Sequence, residues 1–82
     1  MQKKYIHTVK PLADYILEVD FLSGSRLFLN MKPYLDSIRF RPLKRPGVWQ
    51  RAVTNGLFVR FDDVDLSHDE ILAMTEQEIL AV

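Results

Sequence analysis

Residues 15–31 read YILEVDFLSGSRLFLNM, two arms in which apolar side chains return at every second position on either side of a Ser-Gly pair. In the first arm Tyr15, Leu17, Val19 and Phe21 alternate with Ile16, Glu18, Asp20 and Leu22. In the second, Leu27, Leu29 and Met31 alternate with Arg26, Phe28 and Asn30. That period of two belongs to strands with one buried face, and a slip of one residue would send a whole apolar set to solvent. A two-residue Ser-Gly turn would set Phe21 against Arg26 and Leu17 against Asn30, mixing the faces. A three-residue loop through Leu22, Ser23 and a left-handed Gly24 instead pairs Val19 with Leu27, Leu17 with Leu29, Tyr15 with Met31, and Asp20 with Arg26 on the outer face. The bulged loop is the expected connection.

The remaining chain is short. At 82 residues it has room for one core. Cysteine is absent, which excludes disulfides and thiolate metal sites. The start, MQKKYIHTVKP, lacks the apolar run of a secretion signal, and no stretch approaches the roughly 18 apolar residues of a membrane span, so a cytoplasmic protein without membrane contact is expected. The formal charge is zero but divided. Residues 1–61 carry all 11 cations against four acids, leaving +7, and residues 62–82 carry seven acids and no Lys or Arg, leaving −7. A charged partner or internal pairing of the halves follows from such asymmetry.

Residues 5–10 read as a strand ended by Pro11, which cannot donate to a ladder. Pro33 suits the first turn of a short helix through Asp36. Residues 37–47 read as an irregular loop pinned by Phe40 and Leu43, and 47–51 as a helical turn presenting Trp49. Asn55-Gly56 is a strong signal for a hairpin turn needing positive φ at both positions, and it pairs Ala52 with Val59 and Val53 with Phe58. Leu57, Val59 and Phe61 then face the core, with Arg60 outward. The carboxyl end repeats itself at a spacing of eight, SHDEILA and TEQEILA. Each copy opens with a capping box, Ser67 with Glu70 and Thr75 with Glu78, which favours two short helices over one helix carrying Ile71, Leu72, Thr75, Ile79 and Val82 on a stripe. The expected fold is a single α+β domain over 1–82. Its mostly antiparallel four- or five-stranded sheet spans 5–61 on two hairpins, and short C-terminal helices within 67–82 pack against it.

Val9-Lys10-Pro11, the strand at 15–21, Gly24, LNMKPYL at 29–35, Phe40 with Leu43, Trp49 and Val64-Asp65-Leu66 are together similar to a bacterial family catalogued as domain of unknown function 2442. Asn30 stands where that family commonly has aspartate, and Arg60 where it commonly has tryptophan. The resemblance implies a small α+β fold in a soluble bacterial protein. Some relatives are fused to a helix-turn-helix domain and others sit beside small partners in toxin-antitoxin-like gene pairs. It supplies no catalytic residues.

Asp62, Asp63, Asp65, Ser67 and Asp69 alternate like the start of a calcium loop, but His68 replaces the glycine of the sharp turn and Met74 the bidentate glutamate. Acids gathered at a helix start explain them better. His7 and His68 have no nucleophile at a fixed offset and read as solvated surface. The expectation is therefore a non-catalytic module, without metal or cofactor, that pairs with another small protein. Arg39, Arg41, Lys44, Arg45 and Arg51 form its candidate surface. Trp49 joins them as an aromatic able to fill a partner's pocket, although core burial is the favoured reading for it. The first alternative is nucleic-acid or anion binding through the basic loop 39–51, with an internal seam between that loop and the acidic tail favoured over it. The second is a small-ligand pocket anchored by Asn30 and Asp65. Homodimerisation through the edge of the first strand or the C-terminal helices is also expected.

Overall fold

The computed structural model describes residues 5–80, and only the backbone of residues 77–80. Strands β1 (Ile6–Pro11), β2 (Ile16–Phe21) and β3 (Arg26–Asn30) form one antiparallel sheet in that order. Strands β4 (Val53–Thr54), β5 (Phe58–Phe61) and β6 (Val64–Ser67) form a second, and helix α1 (His68–Leu80) closes the chain. The α+β class holds, but two three-stranded sheets replace the expected single sheet of four or five strands. Two physical reasons account for the change. The stretch between β3 and β4 carries three prolines and three 3-10 turns, at Lys32–Tyr34, Arg41–Lys44 and Trp49–Arg51, so it covers the core instead of continuing a ladder. In addition, Val64 and Leu66 are buried on one face of a sixth strand, which a turn with Asp62 at φ +55° folds back onto β5.

The first hairpin has the expected register, with Val19 opposite Leu27, Leu17 opposite Leu29 and Asp20 opposite Arg26. Its loop is the three-residue bulged type. The Phe21 N–H donates to the Ser25 carbonyl at 2.8 Å, the Gly24 N–H to the Phe21 carbonyl at 3.0 Å, and Gly24 holds φ +94°. On the outer face Arg26 Nε lies 2.5 Å from Asp20 Oδ1. The Met31 N–H still reaches the Tyr15 carbonyl at 2.9 Å, although the strand itself begins at Ile16.

The second hairpin departs from expectation. Val53 pairs with Arg60 and Thr54 with Val59, not Ala52 with Val59 or Val53 with Phe58. Side chains have taken over the turn: Asn55 Oδ1 accepts from the N–H groups of Leu57 at 3.0 Å and Phe58 at 2.9 Å. Thr54 Oγ1 donates to the Phe58 carbonyl at 2.8 Å and accepts from the Gly56 N–H at 3.0 Å. Asn55 therefore has no need of positive φ, and Gly56 alone adopts it, at +99°. The Gly56 carbonyl accepts from both Tyr5 and Ile6 N–H groups at 2.9 Å, tying the turn to the start of β1. Because the register moves by two positions, the faces survive: Val59 and Phe61 are buried and Arg60 is exposed.

One helix, not two, ends the chain. The first capping box forms, with the Glu70 N–H on Ser67 Oγ and the Ser67 N–H on Glu70 Oε1, both at 3.1 Å. The second does not interrupt the helix, since Thr75 Oγ1 donates back to the Ile71 carbonyl at 2.8 Å. The Glu78 and Ile79 side chains and Val82, parts of the sequence expectation, lie outside what is described. Both sheets, the connection and the helix feed one core: Leu17, Val19, Leu29 and Met31 meet Phe40, Leu43, Trp49, Val59, Phe61, Leu66 and Ile71. β1 lies beside β4, and α1 against β3 and β6. Among the described residues, no helix is long and apolar enough to cross a membrane.

Candidate functional site

The connection between the sheets is pinned from below and bare above. Phe40 and Leu43 are buried, and Ser37 Oγ secures the approach by donating to the Tyr34 carbonyl at 2.7 Å and accepting from the Phe40 N–H at 3.3 Å. With Phe40 and Leu43 committed inward, Ile38, Arg41, Lys44 and Arg45 face solvent. Ile38 is 86% exposed, although it is apolar. Arg41 Nη2 donates to the Asp36 carbonyl at 3.3 Å, and Lys44 Nζ lies 3.2 Å from the Asp36 carboxylate, itself 96% exposed. Arg45 has no ionic partner among the described residues.

Two clefts flank this ridge. One, of about 390 Å³, is lined by Ile38, Arg41, Pro42, Lys44 and Arg45. The other, of about 300 Å³, lies between the turn at 11–15 and residues 43–50 and includes Asp14, Tyr15, Pro46 and Gln50. Lys44 and Arg45 line both. The turn forming the second wall is strained, with Asp14 at φ +61° and Tyr15 at +57° in succession.

The remaining candidates fall elsewhere. Arg39 lies over the Phe40 ring at 4.8 Å and grips Glu70 with both terminal nitrogens, Nη2 to Oε1 at 2.8 Å, while Nη2 also reaches the Asp65 carbonyl at 2.8 Å. The Arg39 hydrogen bonds, aided by Ser67 and opposed by partial burial, hold the Glu70 carboxyl at about 2 against an ordinary 4.5. Glu70 in turn raises the Arg39 guanidinium above its usual range. Arg51 pairs with Asp62 at 2.7 Å. The basic loop thus divides: Arg39 and Arg51 meet acids of the C-terminal segment, while Arg41, Lys44 and Arg45 remain on the ridge.

Trp49 does not stand on the ridge with the cations, although it lines the smaller cleft. It is buried, stacked on Phe61 at 5.1 Å and 8°, tilted against Tyr15 at 5.1 Å, and its Nε1 donates to the Leu12 carbonyl at 2.9 Å. Asn30 Oδ1 accepts from the Lys32 N–H at 3.0 Å, and the Asp65 carboxylate lies 3.9 Å from Arg60 Nη2. Neither lines the two clefts. His7 is exposed, but His68 is not the solvated residue expected. Its ring stacks on Tyr5 at 4.3 Å and meets Phe21 edge-on at 5.8 Å, an apolar slot that periodicity could not reveal. Among the described residues no group of three or more His, Asp or Glu could hold a metal ion.

Ile38 was hidden in the sequence because it sits in an aperiodic stretch, where no neighbour tells inside from outside. The family model described as "Protein of unknown function (DUF2442)" matches residues 6–76. No curated protein and no solved structure matches the chain.

Proposed function

The chain belongs to the DUF2442 family, whose description assigns no activity, and from that footing we propose that it is a non-catalytic bacterial interaction module, working in the cytoplasm, that pairs with another small protein through the ridge of Ile38, Arg41, Lys44 and Arg45. What carries the reading is Ile38. Burying such a side chain is worth about 1.5–3 kcal/mol, which the isolated chain leaves unused beside three exposed cations, of which Lys44 alone has an ionic partner, the 96% exposed Asp36 carboxylate. The ridge sets no general base beside a nucleophile, so chemistry gains no support from it. Nucleic acid is the weaker reading, since Arg39 and Arg51 are already paired with Glu70 and Asp62. Self-pairing along β1 is weaker too, because Gly56 engages its first amides and β4 lies beside it.

The test is recovery of the tagged full chain from its host, beside a variant carrying Arg41→Glu, Lys44→Glu and Arg45→Glu whose fold is checked by circular dichroism. A protein that accompanies the wild type and is lost from the variant is the expected result. Recovery of the wild type alone at every salt concentration, or retention of the same protein by the variant, overturns the reading. Duplex DNA retained with a slope near −0.9 per phosphate in log–log salt dependence, and released by the same substitutions, transfers the ridge to nucleic acid.

A further inference from the structure

We propose that the ridge reads an extended acidic segment of its partner with the pattern apolar-x-acid-x-acid. The inference rests on the interaction reading above and goes further, to the chemistry of what is bound. Arg41 and Lys44 are three residues apart within one 3-10 turn, where side chains at that spacing eclipse one another and the rise is about 6 Å. Carboxylates at alternate positions of an extended chain are about 6.5 Å apart and on one face. The two spacings match. Ile38, in the turn just before that helix, places an apolar contact beside the two cations, where with Pro42 it walls a hollow of about 390 Å³.

A helix suits the ridge less well. Helix-in-groove docking uses apolar anchors on several successive turns of a body about 10–12 Å across, and this hollow offers Ile38 and Pro42 alone as apolar walls. Phosphates could meet the cations, but they give Ile38 nothing to bury. Asp14 limits the acidic run. It lines the neighbouring cleft that Lys44 and Arg45 also border, so acids continuing past Arg45 would face a carboxylate. The segment's charge therefore ends at the ridge.

The experiment uses the full chain and a fluorescent peptide containing Leu-Ser-Glu-Ser-Glu, read by anisotropy at low salt. Comparison peptides replace the leucine by serine or set the two glutamates side by side, and a labelled DNA duplex is run in parallel. Binding of the first peptide is expected, weakened at least tenfold by Arg41→Glu or Lys44→Glu and about tenfold by Ile38→Ser, with no change for Arg60→Glu, a cation outside both clefts. Replacing the peptide's leucine should cost the same tenfold on the wild type and nothing further on Ile38→Ser, a comparison that needs no altered protein for its first half. Absence of binding, indifference to the leucine or to Ile38, or a duplex bound as tightly with the same dependence overturns the proposal. A cellular partner lost from the triple-glutamate variant, yet neither displaced by the peptide nor sensitive to Ile38→Ser, ends this proposal and leaves the interaction reading standing. Recovery of no partner ends both.

Discussion

Asp14 and Tyr15 share an unusual backbone geometry but not the same return for it. Left-handed φ costs an L-residue about 1–2 kcal/mol. Tyr15 offsets that cost, since its ring lies against Trp49 and its carbonyl accepts from the Met31 N–H. The exposed Asp14 side chain makes no comparable contact. Asp14→Gly should therefore stabilise the fold: relief of about 1–2 kcal/mol outweighs the roughly 0.5–1 kcal/mol of extra glycine entropy. A melting temperature raised by about 2–6 °C in calorimetry is the expected outcome, and a fall would assign the Asp14 carboxylate a structural task. Aspartate tolerates this conformation, so a turn at residue 14 could be suspected from sequence. Tyr15 could not. Its reason is a ring 34 positions away, and nothing local announces it.

At the scale of elements, local rules succeeded where a buried face constrained them and failed where a side chain offered the backbone another partner. The 15–31 hairpin was legible because each candidate register sent named residues to a definite face. Asn55-Gly56 was misread because Thr54 and Asn55 satisfy the turn with their own oxygens. Thr75 was misread as a cap because a threonine inside a helix can instead bond the carbonyl one turn back. The genuine cap yields a pH prediction. Glu70 titrates at about 2 in the fold against an ordinary 4.5, so its ionised form favours the native state. That contribution is complete above about pH 4.5 and is lost as pH falls through 2. Asp20, lowered by its hydrogen bond to Arg26, acts in the same direction, so the comparison must isolate Glu70. Glu70→Gln keeps a carbonyl for the Ser67 N–H but loses the charge, and should flatten the acid limb of a urea-midpoint profile. Parallel profiles for wild type and variant would refute the assignment.

Across the whole molecule, the opposed charges of the two chain segments meet in Arg39–Glu70 and Arg51–Asp62, which tie the connection to α1 and to the turn after β5. The single α+β domain was readable from length and patterning. Its division into two sheets was not, because that depends on a proline-rich connection spending its apolar residues on the core. Since Trp49 stacks on the second sheet's Phe61 and bonds the Leu12 carbonyl beside the first, neither sheet should melt alone. Thermal unfolding followed by Trp49 fluorescence and by far-ultraviolet circular dichroism is expected to give one coincident transition, and two separated midpoints would contradict a shared core. The sharing also has a cost in time. A chain made from its amino end completes the inner face of Leu17, Val19, Leu29 and Met31 well before the part of its cover that the second sheet supplies, as Val59 follows Met31 by 28 positions. At translation speeds of about 5–20 residues per second, that greasy face waits roughly one to six seconds on the ribosome, the interval in which this protein is most open to misassociation with its neighbours.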